Sequence, residues 1–269
     1  MCSDGRGGVL WRAIPRHWRL LRALWCGAAL LAAACGGPAA LAAPVSLIGL
    51  RNGVPLALHE GREFPLTYSA EMARFAAEDA RSPGVGEVLF TGSSSVVGWR
   101  TLKQDMAPLP VVNRAFGGST SVQLWYYAER AVIARRPEIV VVYVGDNDLV
   151  QPTVSVENYL KYVRLFNREV SAALPHVRFV YLSNKPSPAR WRFWPKFQQA
   201  NQALRALCAA DRRLTYVDIT RTLLGPDGQV RPELFEEDQL HFRPVVYREW
   251  TRILKPVLER MWAEDPPRE

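Results

Sequence analysis

The sequence predicts an α/β protein in which a five-stranded parallel sheet lies between two layers of helix, a three-layer sandwich. Three observations carry this. From about residue 84 to residue 263, short apolar runs alternate with longer amphipathic segments, the pattern of successive strand–helix–strand units. One run, Ile139-Val140-Val141-Val142-Tyr143-Val144, is apolar at every position, as a strand covered on both faces must be. Small, polar and titratable residues follow the runs directly, and open parallel sheets bind their ligands outside the carboxyl ends of their strands. With 269 residues, 48% hydrophobic and 22% charged, the chain is long enough for a large core, and collagen-like, disordered and multi-span membrane architectures are excluded.

The elements follow in order. Residues 1–42 hold five arginines (Arg6, Arg12, Arg16, Arg19, Arg22) and one acid, Asp4, so half of the net charge of +8 belongs to that segment. The remainder is too weakly basic to suggest a nucleic-acid partner. An uncharged stretch rich in Ala and Leu runs from Ala23 to Pro44. A basic start, an apolar middle and the small residues at Ala40-Leu41-Ala42 form the pattern of an export signal. A second exit, Leu31-Ala32-Ala33-Ala34-Cys35, resembles a lipobox, in which Cys35 would carry lipid; an uncleaved membrane anchor is the third reading. Export to the periplasm or medium is the expectation that all three share. The four cysteines include no CxxC pair, which argues against a zinc site or a disulfide framework.

Residues 43–83 form a lead-in with one predicted helix, Leu66–Arg81, where Met72, Phe75 and Ala76 fall at helical spacing. Pro83-Gly84 breaks the chain. Predicted strands are 88–91, 111–116, 139–144, 177–182 and 214–219. Predicted helices are 121–135, 156–173, 196–210 and 245–262, the last interrupted and kinked at Pro256. Residues 84–263 make one catalytic-size domain, with a short tail, 264–269.

After the first strand comes Gly92-Ser93-Ser94-Ser95, and after the second Phe116-Gly117-Gly118-Ser119. Gly145-Asp146-Asn147-Asp148 follows the third and Ser183-Asn184-Lys185-Pro186 the fourth; a long loop beyond the fifth ends in Asp238-Gln239-Leu240-His241. Each has a plain reading on its own. A serine turn caps helices, Gly117-Gly118 suits a tight turn, and Asp146 with Asp148 does not complete a metal shell. The histidines narrow the choice. His17 lies in the basic segment, His59 in the lead-in and His176 before the fourth strand, at the wrong end of the sheet, which leaves His241. Asp238, three residues earlier, can reach its Nδ1 and leave Nε2 to accept a proton. The set is a Ser-His-Asp system without the GxSxG elbow of the α/β-hydrolases.

In these blocks and in their order, the chain resembles the GDSL/SGNH hydrolases over residues 87 to about 255. The resemblance implies that Ser94, in Gly92-Ser93-Ser94, is the nucleophile, with Ser93 standing where the family usually has Asp. It implies Gly118 and Asn147, with the Ser94 N–H, as the oxyanion hole, and Asp238 and His241 as the rest of a catalytic triad. The expected fold is the SGNH, flavodoxin-like α/β sandwich. The expected reaction is hydrolysis of acyl esters without a metal or organic cofactor, on a small-molecule, glycan or lipid ester such as an O-acetylated carbohydrate or a lysophospholipid. An acyltransferase sharing the acyl-enzyme, and a flavin or phosphate binder, are the competing readings. Trp125-Tyr126-Tyr127 reads as core packing. Trp191-Arg192-Phe193-Trp194 reads equally as core or as the rim of an acyl pocket.

Overall fold

A computed structural model describes residues 43–84 and 86–264. The expected export signal, its exit at residues 40–42 and lipid attachment at Cys35 lie outside the described residues, as does the tail after Glu264.

The lead-in is richer than one helix. Strands β1 (Ser46–Arg51), β2 (Val54–His59) and β3 (Arg62–Pro65) form an antiparallel sheet in the order β1-β2-β3. They are joined by two-residue turns at Asn52-Gly53 and Glu60-Gly61, where all four residues have positive φ (51°, 78°, 45° and 79°). Paired positive φ values match the twist of a hairpin, and Asn-Gly is the pair that adopts them most easily. Helix α1 (Ser69–Arg81) starts three residues later than predicted, because the Leu66 N–H still bonds the Pro55 carbonyl at 2.8 Å.

The main sheet contains β4 (Val88–Gly92), β5 (Val111–Asn113), β6 (Ile139–Tyr143), β7 (Arg178–Leu182) and β8 (Leu214–Val217), all parallel, in the order β5-β4-β6-β7-β8. That order reverses between β4 and β6, the switch point at which doubly wound sheets open a crevice. The connecting helices are α2 (Ser94–Val97), α3 (Leu102–Asp105), α4 (Ser121–Tyr126), α5 (Ala128–Ala131), α6 (Asp146–Leu149), α7 (Val156–Ala173), α8 (Trp194–Ala209) and α9 (Pro244–Glu264).

Side chains of the buried strands alternate between two cores. Leu89, Val140, Val142 and Phe179 pack with α1, α4, α7 and α8, whereas Val88, Phe90, Val141 and Val180 pack with α2, α3 and α9. This is the predicted three-layer sandwich. Two predicted elements differ. The segment 121–135 is α4, α5 and a 3₁₀ turn at Ile133–Arg135 rather than one helix. Tyr127 (φ −94°, ψ 8°) breaks it, with its ring packed in the core against Tyr68 and Phe116. At Pro256 the expected interruption does not occur, and α9 runs through it as one helix. Pro256 and Arg252 are both exposed, so water can take the carbonyl that a proline leaves without an N–H partner.

Candidate active site

Each predicted site residue sits just beyond a strand of the main sheet or in the loop before α9. Ser94 opens α2, one residue after the turn that leaves β4. That turn requires glycine at position 92: φ is +113°, and a Cβ there would lie 1.8 Å from the Tyr143 carbonyl oxygen. Ser93 and Ser95 are buried, at 1% exposure each, and Ser94 alone of the three is half-open to solvent. Its Oγ lies 2.9 Å from His241 Nε2. On the other side of the ring, His241 Nδ1 is 2.5 Å from Asp238 Oδ2. The Asp238 Oδ1 accepts from the backbone N–H groups of Leu240 and His241, both at 2.9 Å. These backbone bonds, with the bond to the imidazole, hold the Asp238 carboxyl at about 2, below the usual carboxylate range. Residues 147 positions apart in the chain thus form one hydrogen-bonded row, Ser94–His241–Asp238.

Gly117 and Gly118 bring the second block up to the serine. A Cβ at Gly117 would sit 3.9 Å from the Ser94 Cβ. Among the described residues, the N–H groups of Ser94 and Gly118 have no protein acceptor. Asn147 lies in α6 after β6, half-buried. Its Nδ2 donates to the Ser119 carbonyl at 3.0 Å, and its Oδ1 accepts from Arg190 Nη2 at 2.8 Å. Gly145, which starts this block, has φ +130°, and a Cβ there would meet Asn184 Oδ1 at 2.4 Å. Any other residue would push the loop off its support.

The two acids around Asn147 have different partners. Asp148 is fully buried and accepts from Arg62 Nη2 (2.6 Å), Ser121 Oγ (2.6 Å) and the Ser121 N–H (2.9 Å). Burial raises its carboxyl above the usual range despite those donors. Asp146 lies 3.0 Å from Arg190 and 3.8 Å from Lys185. Both acids are therefore tied to cations, and among the described residues no group of three or more His, Cys, Asp or Glu is placed to hold a metal ion.

Several supporting residues carry no motif. The Tyr68 hydroxyl donates to the Gly117 carbonyl at 3.0 Å, and Lys185 Nζ donates to the Leu240 carbonyl at 2.8 Å. A cavity of about 210 Å³ beside Gly118 is lined by Arg62, Tyr68, Thr120, Gln123 and Gln151 among others. His59 is a core residue, its Nδ1 3.0 Å from the Tyr162 hydroxyl and its ring 4.4 Å from that of Trp125. His176 is exposed ahead of β7. Trp125 and Tyr127 are buried as expected, while Tyr126 is at the surface. Trp191 and Trp194 stack at 6.2 Å and pack against the core, which favours the packing reading for that cluster.

The GDSL-like lipase/acylhydrolase family model matches residues 80–249. The chain belongs to this family. It is a hydrolase of ester bonds. The platelet-activating factor acetylhydrolase IB subunit alpha1 of Rattus norvegicus is 31% identical over 193 residues, covering 66% of this chain and 78% of that protein. Among solved structures, a GDSL-like lipase from Bacteroides thetaiotaomicron superposes with a TM-score of 0.62 at 22% identity, over 71% of this chain and 98% of its own. A carbohydrate esterase of family 3 from Talaromyces cellulolyticus has the same fold, with a TM-score of 0.57 at 14% identity, over 67% of this chain and 100% of its own.

Proposed function

We propose that the protein is a serine esterase that removes short acyl groups, acetate foremost, through Ser94, His241 and Asp238. The observation that carries this reading is the 2.9 Å contact between Ser94 Oγ and His241 Nε2, a distance suited to proton transfer. His241 takes the hydroxyl proton as Ser94 attacks the ester carbon, because an un-ionised serine is a weak nucleophile. Asp238 stays ionised, fixes the tautomer and stabilises the imidazolium. The N–H groups of Ser94 and Gly118 and the amide of Asn147 receive the charge that develops on the carbonyl oxygen. One such donor is worth about 3–4 kcal/mol in the transition state. His241 then protonates the leaving alcohol, and water releases the acid.

What supports a short acyl group is the name of the curated relatives, which are acetylhydrolases. An exported protein, with residues 1–42 as address or anchor, is part of the same proposal, supported by the basic-then-apolar order of that segment. N-terminal sequencing of the mature protein tests it.

The activity is tested with wild type and Ser94→Ala on p-nitrophenyl esters of increasing acyl length. The expected result is turnover falling with chain length in wild type and a loss of about 10³-fold or more in the variant. Equal turnover by both proteins overturns Ser94, and a preference for long chains overturns the short-acyl reading.

A further inference from the structure

We propose that Arg190 is a positioning residue for the hydrolysis, one that fixes and polarises the Asn147 amide so that Nδ2 faces the ester oxyanion. The inference rests on the reading of Asn147 as an oxyanion donor. An amide side chain has two ends of nearly the same shape. Turned over, Asn147 would aim a lone pair at a developing negative charge. Two contacts set its direction: Nδ2 donates to the Ser119 carbonyl at 3.0 Å, and Oδ1 accepts from Arg190 Nη2 at 2.8 Å. The first leaves one N–H hydrogen for substrate. The second is charge-assisted and selects the orientation, since a guanidinium has no acceptor and can bond only the oxygen end. A cation on the amide oxygen also draws electron density from the nitrogen, which makes the remaining N–H a stronger donor.

Arg190 is itself held in place. Its Nη1 lies 3.0 Å from Asp146 Oδ2, and the side chains are 17% and 5% exposed. With Lys185 3.8 Å from the same carboxylate and 1% exposed, two cations share one acid, and the excess charge behind Asn147 is positive. The neighbouring Ala189 N–H donates to the Gln239 carbonyl at 3.1 Å. The segment that aims Asn147 is therefore also bonded to the loop bearing Asp238 and His241. None of the four blocks at the strand ends contains Arg190.

The test is a double-mutant cycle of Arg190→Gln and Asn147→Ala on the full chain, reading kcat and KM for p-nitrophenyl acetate and inhibition by an alkyl boronic acid, which forms an anionic tetrahedral adduct on serine. For Arg190→Gln we expect kcat to fall about tenfold with KM within about twofold, and the boronic acid to bind about tenfold more weakly. In the Asn147→Ala background the same substitution should change kcat by under about twofold, because its target is gone. Equal losses in both backgrounds, or an effect confined to KM, overturn the proposal and leave the oxyanion reading of Asn147 standing. If Asn147→Ala alone leaves kcat unchanged, that reading falls and the proposal falls with it. Should Arg190→Gln not fold, Arg190→Lys enters the same cycle: it keeps the charge and should show a smaller loss with the same dependence on Asn147.

Discussion

Asp238 shows how much a single carboxylate can be asked to do when it stands in the open. Its side chain is 49% exposed, so its hold on His241 comes from directed bonds, two from backbone N–H groups and one with the ring. These keep the group charged down to about pH 2. Because its folded pKa is depressed, the stability it contributes is present above the ordinary aspartate range near 4 and is lost only as pH falls through about 2. A loss of activity between pH 7 and pH 4 is therefore not the protonation of Asp238. Asp238→Asn keeps the shape and removes the charge. We expect kcat to drop by about 10³–10⁴-fold and the protein to stay folded with a modestly lowered melting temperature, since the carboxylate's contribution to stability goes with its charge; steady-state kinetics and a thermal melt check both, and a drop below tenfold would remove Asp238 from the mechanism. The candidate site residues Ser94, Gly118, Asn147, Asp238 and His241 could be picked out in the sequence because each follows a strand or sits in a short family motif. Arg62, Tyr68 and Arg190 could not, and although Lys185 stands in the block after the fourth strand, the contact it makes could not be read there. Their partners lie 86, 49, 43 and 55 positions away, and no local spacing marks a contact made only by folding.

Among the elements, legibility followed periodicity. The long amphipathic helix α7 has the predicted bounds, Val156–Ala173, and the Ser155 side chain caps it by accepting from the Asn158 N–H at 3.0 Å. Strands β5 and β8 are shorter than predicted, since the apolar residues beyond them belong to the site loops rather than to the ladder. The antiparallel sheet β1–β3 has a hairpin pair at Asn52-Gly53, but β1 and β2, Ser46–Arg51 and Val54–His59, are nearly all apolar and show no polar–apolar alternation to mark them as strands. The loop after β7 showed only the polar block Ser183-Asn184-Lys185-Pro186, with no catalytic motif, and it is bonded both to Asn147 and to the loop bearing Asp238 and His241. Its Lys185 donates to the Leu240 carbonyl at 2.8 Å, beneath the loop that carries Asp238 and His241, with Nζ 5.0 Å from the Phe242 ring centre. Burial lowers this lysine to about 8, against the pull of Asp146 and Asp238. A folded pKa below the unfolded one means that charging the buried amine costs stability below pH 8, and that this cost is relieved as pH rises from about 8 towards 10.5. For catalysis the sign is opposite, because the ammonium is what grips Leu240. We expect an alkaline decline in kcat with a midpoint near pH 8 in wild type, absent from Lys185→Met, whose activity should be lower and flat over that range. An unchanged midpoint in Lys185→Met assigns the decline to another group.

At the level of the whole molecule, the described residues form one compact unit, and the family region from residue 80 onward is only part of it. The preceding segment shares the core. Phe64, Tyr68, Met72 and Phe75 are buried in the same cluster as Leu89, Val140 and Tyr159. Arg62 of β3 supplies the charge facing buried Asp148, at 2.6 Å. Gln123 Nε2 donates to the Pro65 carbonyl at 2.8 Å, and Tyr68 holds Gly117. Four large side chains at about 1.5–3 kcal/mol each amount to roughly 6–12 kcal/mol, and stranding a buried carboxylate adds about 3–5 kcal/mol more. Whole domains are stable by only about 5–15 kcal/mol. A protein cut to residues 84–269 should therefore fail to fold cooperatively, although it keeps every residue of the candidate triad and oxyanion hole. Residues 43–269 should melt in a single transition and retain esterase activity. Circular dichroism melts and p-nitrophenyl acetate turnover of the two proteins separate the cases. A folded, active 84–269 protein would show that the lead-in is an accessory layer. An intact fold with lowered kcat would show that it supports the Gly117-Gly118 turn and little else.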